Sequence, residues 1–214
     1  RREAGERWSV LVDTSASMGL GRPGKLQLAA EVALGLAAAG QRIGATSELV
    51  ALGPQGQPVR RTFARRRDLP AWLAALESLE SWDGPGRGLG ELLARSAPGR
   101  RAARLFVLAD FLDVGPGELQ ALQRPGRRIE LVQVLAPHEL APAAGGEAAT
   151  RWADRESHQR LDVTLSGPTL ARYAKALERR EDAWRRACAR HGLGWSTWRS
   201  AAPFEEVVAA LLGI

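Results

Sequence analysis

The sequence lacks the features on which several classes of protein depend. Its single cysteine cannot form an internal disulfide, which excludes a disulfide scaffold and indicates a reducing compartment. No apolar run approaches the roughly 18 residues that a membrane-spanning helix needs. No initiator methionine or signal-like segment precedes Arg1. We therefore expect the C-terminal part of a longer protein, and we expect this part to lie in the cytoplasm.

Disorder is excluded by composition, because 45% of the 214 residues are hydrophobic and 25% are charged, as in globular domains. The net charge is +6, and Lys25 and Lys175 are the only lysines among 30 basic residues. The densest basic cluster comprises Arg60, Arg61, Arg65, Arg66 and Arg67. Such a cluster can bind nucleic acid, but only Phe63 is interleaved with it and no nucleic-acid motif is present. We favour a solvated strand end and turn, and keep a nucleic-acid-binding accessory domain as an alternative.

Apolar runs and helical periodicities alternate along the chain, which predicts an α/β protein. Strands are predicted over 8–13, 42–52, 57–63, 104–109, 129–135, 161–165 and 194–198. Helices are predicted over 25–39, 70–79, 89–95, 116–122 and 168–191, with a last helix opened by Pro203 and a loop over 136–156. We expect residues 1–214 to form one domain with a doubly wound, mainly parallel sheet, completed by the long helix, the last strand and the terminal helix.

Oxygen-bearing side chains follow two of the buried strands. Asp13, Ser15 and Ser17 lie directly after the first strand, and Asp110 ends another. Ligands of open α/β sheets bind at the carboxyl ends of strands, and Mg²⁺ prefers oxygen ligands. If the two strands are neighbours, these residues face one pocket that suits Mg²⁺ or Mn²⁺. The alternative is a capped turn at each place, and Asp113 lies nearby but farther from the strand end.

The first motif resembles a known ligand site. Asp13-x-Ser15-x-Ser17 after a first strand, followed by an aliphatic helix, resembles the metal-ion-dependent adhesion site of von Willebrand factor type A domains. Over nearly all of the chain the pattern is similar to the bacterial von Willebrand A-like family catalogued as domain of unknown function 58. The segments that carry this likeness are 2–8 running into 12–19, Lys25 opening a helix, 41–44, the arginine-rich helix, and 203–207.

The resemblance implies a doubly wound sheet, no catalytic activity and a protein partner. Members of that family are often encoded beside a MoxR-type AAA+ ATPase, with which they are thought to act in protein assembly or chaperone-like maturation. Many look tethered to a membrane through a preceding segment. The resemblance therefore also allows a place at the cytoplasmic face of a membrane.

One part of the adhesion site departs from the family pattern. The second loop should supply a threonine, but alignment places Arg87 there, and no threonine occurs between Thr62 and Thr150. Arginine offers donors and no lone pair, so it cannot ligate a cation. We expect Mg²⁺ or Mn²⁺ to be bound weakly or not at all. Arg87 then pairs with Asp13 or Asp110 and binds a partner carboxylate, or it points into solvent beside a weak four-ligand site.

The remaining chemistry-bearing residues give weaker signals. Trp82, close to the second loop, is a candidate for lining a partner groove. Cys188 lies in the apolar seam of the long helix, and the histidines lack metal-ligand spacing. We expect no catalysis, because Ser15 stands where a phosphatase of the haloacid-dehalogenase type has an acid, and neither a nucleophile elbow nor a Walker A motif occurs. A divalent-metal phosphohydrolase that uses Asp13 is the enzymatic alternative.

Overall fold

The computed structural model describes residues 6–53, 57–81, 89–96, 102–122, 125–142, 149–153 and 160–214. Its strands are β1 (Arg7–Val12), β2 (Thr46–Leu52), β3 (Pro58–Phe63), β4 (Arg104–Ala109), β5 (Arg128–Leu135), β6 (Ala149–Ala153), β7 (Arg160–Thr164) and β8 (Gly194–Arg199). Its α-helices are α1 (Lys25–Arg42), α2 (Leu69–Glu77), α3 (Leu89–Ser96), α4 (Pro137–Leu140), α5 (Gly167–His191) and α6 (Phe204–Leu212). Short 3₁₀ turns lie at Ala16–Gly19, Arg66–Asp68 and Pro116–Leu122.

The main sheet has six strands in the order β3-β2-β1-β4-β5-β8. Every neighbouring pair is parallel except β2 and β3, which pair antiparallel at one edge. The chain builds outward from β1 to β2 and β3, then crosses back to β4 on the other side of β1. This order confirms the predicted doubly wound, mainly parallel α/β class. It also places the switch point, where such sheets bind ligands, between the carboxyl ends of β1 and β4.

The central strands are apolar throughout because helices cover both faces of the sheet. Alternate residues of β1 therefore enter different cores. Val10 and Val12 pack with α1, α2 and α6 on one face, while Leu11 packs with α3 and α5 on the other. This double burial fixes where β1 and β4 end, and so where the polar residues that follow them lie.

Helix α1 is longer than predicted. We expected it to end near Ala39 with Gly40 just outside, but it continues to Arg42. Gly40 serves packing instead, because a Cβ there would lie 3.0 Å from both Trp8 Cε3 and Ser47 Oγ. The left-handed residue that follows the helix is Gly44, with φ of 79°.

The prediction of a loop over residues 136–156 is wrong in part. It contains α4, in which Glu139 Oε2 accepts the backbone N–H of Ala136 at 2.7 Å, and it contains β6. Strand β6 pairs antiparallel with β7 in a separate two-stranded sheet. Alanine and glycine flank β6 in the sequence, so its composition does not indicate a strand. A short strand is specified by its partner more than by its own composition.

Asp68 lies directly before α2, where aspartate is a common capping residue, but its side chain does not cap that helix. Its Oδ2 instead accepts the backbone N–H groups of Ala64 and Arg65, at 3.0 and 2.9 Å, and α2 begins at Leu69 without a side-chain cap. These two hydrogen bonds lower the pKa of Asp68 and close the turn after β3.

Candidate metal and partner-binding site

The loop after β1 is a compact group of oxygen atoms. Asp13 donates its N–H to Leu108 O at 2.9 Å, so the pairing of β1 with β4 continues to this residue. Its Oδ1 accepts the N–H of Ser15 at 2.9 Å, and its Oδ2 accepts the Ser15 hydroxyl at 3.1 Å. The hydroxyls of Ser15 and Ser17 are 3.1 Å apart. The same geometry therefore fits both interpretations of these residues, as a capped turn and as a set of metal ligands.

Asp110 lies in the equivalent place after β4 and is 1% exposed. Its Oδ1 accepts the N–H of Leu112 at 3.0 Å, and its backbone carbonyl accepts a hydrogen bond from Gln133 Nε2 at 2.9 Å. These contacts hold the carboxylate at the end of the strand. Because β1 and β4 are adjacent, the carboxylates of Asp13 and Asp110 lie close together at this edge of the sheet.

The chain turns sharply after Asp110 at Phe111, which has a φ of 55° in the left-handed region. The Phe111 ring is buried against Trp184 and Trp195, with centroid separations of 5.0 and 5.2 Å. Arg180 of α5 holds the turn from outside. Its Nη2 donates to the carbonyl oxygens of Phe111, Leu112 and Val114. These contacts bring Asp113 back toward the sheet.

Three carboxylates thereby form what we call the acidic cluster: Asp13, Asp110 and Asp113. One oxygen from each lies within 4.8 Å of the others. Ligand distances are about 2.1 Å for Mg²⁺ and about 2.3–2.6 Å for Ca²⁺, so two oxygens on one ion are at most roughly 4–5 Å apart. Asp113, exposed and four residues beyond the end of β4, was not among the predicted ligands.

The closeness of these carboxylates affects the pKa of Asp13. Burial, and then the neighbouring Asp110 carboxylate, raise the pKa of Asp13 well above its usual range, although hydrogen bonds from Ser15 oppose this. An ionised Asp13 therefore calls for additional positive charge beside it.

Sequence reasoning missed Lys25 as a site residue and assigned it only to the start of α1. Its side chain is fully buried, with Nζ 2.8 Å from Asp110 Oδ2 and 2.6 Å from Glu139 Oε1. One signal was present in the sequence. In a chain whose cations are almost all arginines, a lysine at the start of a helix that follows the Asp13 loop is unusual, and a compact ammonium is the cation that fits a buried position best.

The donor set suits a hard divalent cation even with this ammonium present. The acidic cluster and Glu139 together supply four carboxylates, and Lys25 pairs with two of them, Asp110 and Glu139. The side chains that would hold an ion are Asp13, Ser15, Ser17, Asp110 and Asp113. They supply carboxylate and hydroxyl oxygens, the ligand types that Mg²⁺ and Mn²⁺ take.

The other predicted site residues divide into two groups. Arg87 and Trp82 lie outside the described residues, so their roles stay predictions. The described basic cluster lies on β3 and the turn after it, where its arginines are exposed and Arg60 pairs with Glu48 at 3.0 Å. Cys188 is buried, and burial raises the pKa of its thiol to about 11, which leaves it unreactive at neutral pH.

Solved structures with the same arrangement of strands and helices include two from Bacteroides. A conserved hypothetical protein, BatB from Bacteroides thetaiotaomicron, superposes with a TM-score of 0.57 at 15% identity, covering 98% of each chain. An aerotolerance-related membrane protein from Bacteroides fragilis NCTC 9343 superposes with a TM-score of 0.56 at 16% identity, again over 98% of each chain. The SpRpn10 VWA domain gives 0.49 at 11% identity over 96% of this chain and 94% of that one.

No protein-family model matches the chain, and no curated protein matches it in sequence. The chain has a doubly wound, mainly parallel α/β fold, with the acidic cluster at the switch point of its sheet. Within the described part of the chain, no helix combines the length and apolarity required to cross a lipid bilayer.

Proposed function

We propose that this chain is a non-catalytic protein-interaction domain that binds an acidic segment of a partner protein. Recognition takes place at the carboxyl ends of β1 and β4, at a weak Mg²⁺ or Mn²⁺ site. The observation that carries the proposal is the convergence of the acidic cluster and two serine hydroxyls at the switch point of a von Willebrand A-like sheet.

The partner that we propose is a MoxR-type AAA+ ATPase, in protein assembly or chaperone-like maturation. Support for this partner comes from the resemblance carried by the motif at Asp13, Ser15 and Ser17 and by the segments around it. We further propose that residues 1–214 form one domain, acting in the cytoplasm or at the cytoplasmic face of a membrane.

The chain's own residues prepare this site for an acidic ligand. Ser15 orients both oxygens of Asp13, and Lys25 orients Asp110. Arg180 fixes the backbone that presents Asp113. A bound divalent cation supplies positive charge to which a partner carboxylate is attracted. The geometry favours binding over phosphate-ester hydrolysis, since both oxygens of Asp13 are buried and bonded to Ser15 rather than aimed at a substrate as a nucleophile.

Titration with Mn²⁺ tests the cation site. We expect the wild-type chain to bind one Mn²⁺ and Asp13→Asn to bind none, because the substitution removes a central ligand charge. Asp182→Asn is the matched control, since Asp182 is an exposed carboxylate on α5 and is not a member of the acidic cluster. In a second measurement, a MoxR-type ATPase of the source genome should be retained by the immobilised wild-type chain and released by EDTA. Wild-type chain that binds neither Mn²⁺ nor the ATPase contradicts the proposal.

Arg87 gives a separate test of how the partner carboxylate is held. Arg87→Thr should tighten Mn²⁺ binding, because threonine restores a hydroxyl ligand and removes a charge that repels the ion. Arg87→Glu should weaken capture of an acidic partner, since arginine pairs bidentately with carboxylates. Unchanged Mn²⁺ affinity in Arg87→Thr would show that Arg87 is remote from the site.

A further inference from the structure

The buried ammonium of Lys25 is the least expected charge in the described part of the chain. Its side chain is 0% exposed, and it bridges carboxylates from two separate elements, Asp110 after β4 and Glu139 in α4. An ammonium withdrawn from water is tolerated only when it is paired and hydrogen-bonded. Neither carboxylate is adjacent to Lys25 in sequence, so its burial depends on both elements being in place.

We propose that Lys25 is a built-in cation that competes with the divalent ion for Asp110 and so sets the metal affinity of the site. This inference rests on the proposed function, since it concerns the same cation site. The cation site of the wild-type chain is weak because the ammonium of Lys25 already occupies one side of Asp110. Lys25 is a positioning residue here, because it acts on the ion through a ligand.

The hydrogen bonds of Asp110 support this competition. Its Oδ2 accepts from Lys25 Nζ at 2.8 Å, and its Oδ1 accepts from Leu112 N at 3.0 Å. Both oxygens are therefore engaged before any ion arrives. An ion on this carboxylate shares it with a fixed ammonium, and the two positive charges repel each other in an environment from which water is excluded.

Glu139 determines how strongly Lys25 holds Asp110. Its Oε1 lies 2.6 Å from Lys25 Nζ, while its Oε2 accepts the N–H of Ala136 at 2.7 Å. Its backbone carbonyl accepts a hydrogen bond from Tyr173 Oη at 2.5 Å, which anchors α4 to α5. The glutamate therefore draws part of the ammonium's charge away from Asp110. Neutralising Glu139 leaves that charge to Asp110 alone.

The two substitutions at this ion pair should change metal affinity in opposite directions. Lys25→Met keeps the length and apolar stem of the side chain and removes the charge, so Mn²⁺ should bind at least about tenfold more tightly. Glu139→Gln should weaken Mn²⁺ binding several-fold. Lys175→Met, which removes the other lysine from an exposed position on α5, should change nothing. Structural damage alone would weaken binding in both variants and would never tighten it.

Calorimetric titration of the full chain with Mn²⁺ measures these affinities, and thermal unfolding monitored by circular dichroism reports whether each variant is folded. A folded Lys25→Met variant whose Mn²⁺ affinity is unchanged or lower overturns the inference. If Lys25→Met does not fold, Glu139→Gln decides, and unchanged or tighter binding in that variant overturns the inference.

The same titrations separate this inference from the proposed function. Binding by the wild-type chain that is lost in Asp13→Asn, with no tightening in Lys25→Met, rejects only the role of Lys25. No binding by the wild-type chain with clear binding by Lys25→Met supports competition by the ammonium. No binding by any variant rejects both the cation site and the role of Lys25.

Discussion

The two ends of the main sheet each hold a cation, which is fully buried at one end and half-buried at the other, and the surroundings of the two cations differ. At the carboxyl ends of the strands, Lys25 is paired with two carboxylates and lies beside the acidic cluster. At the amino ends, Arg104, the first residue of β4, lies over the rings of Trp8 and Phe106, each 5.0 Å from its Cζ. Its Nη2 donates to the carbonyl of Leu211 at 3.0 Å.

The difference separates a structural arrangement from one built for a ligand. Aromatic faces and a carbonyl are the direct contacts of the Arg104 guanidinium. Burial, followed by repulsion from Arg128, lowers its pKa, while the carboxylates of Glu130 and Glu6 oppose this shift. Around Lys25 two carboxylates share one ammonium, and burial together with Asp110 raises the pKa of the neighbouring Asp13. Carboxylates buried so close together cost stability and are typical of functional sites.

The largest effect on stability should follow the loss of Asp110. Asp110→Ala leaves a buried ammonium with only Glu139, and breaking a buried ion pair costs about 3–5 kcal/mol. Urea unfolding should therefore show a large fall in the free energy of unfolding. Asp182→Ala on the exposed face of α5 should change it by less than about 0.5 kcal/mol. Equal small losses in both variants would mean that the Lys25 pair contributes little to the fold.

A smaller loss is expected at the other end of the sheet. Arg104→Met removes the contacts with two rings and one hydrogen bond, for a loss of about 1–2 kcal/mol. Arg128→Met is the control, because its guanidinium is exposed and pairs only at the surface with Glu130. Mn²⁺ affinity should be the same as wild type in both variants. A change in the Mn²⁺ affinity of Arg104→Met would contradict the assignment of a structural role to the amino ends of the strands and a ligand-binding role to their carboxyl ends.

The smallest effect should be a gain in stability. Asn at position 13 can still accept the Ser15 N–H, but it places no buried charge beside Asp110. Because the folded pKa of Asp13 is raised, its favourable contribution is present at low pH and lost as the pH rises through that value. Metal-free Asp13→Asn should therefore be more stable than wild type by roughly 1 kcal/mol at neutral pH.

Thermal unfolding in EDTA across acidic to neutral pH measures this gain. The difference between Asp13→Asn and wild type should shrink toward zero on acidification, because protonated Asp13 is as neutral as Asn. Added Mn²⁺ should raise the unfolding temperature of wild type and leave that of Asp13→Asn unchanged. A variant less stable than wild type in EDTA at every pH would show that ionised Asp13 is already compensated by the protein.

The parts of the site that could be predicted are local in sequence. Asp13, Ser15 and Ser17 lie within one turn, and their spacing alone brings their oxygens together. Asp110 could be placed because apolar runs show where buried strands end. Asp113 could not, since its position depends on a left-handed Phe111 and on Arg180, whose hydrogen bonds to that turn span 66 to 69 residues.

By itself the sequence determined the α/β class and the edge of the sheet at which the oxygen-bearing side chains lie. The spacing of apolar residues indicates which segments are helices, which are strands and where each strand ends. Only the tertiary structure decided which carboxylates pair with Lys25, because Asp110 and Glu139 are 85 and 114 residues away in the sequence. Apolar periodicity specifies which face of an element is buried. It does not specify which charges meet when α1, the end of β4 and α4 pack together.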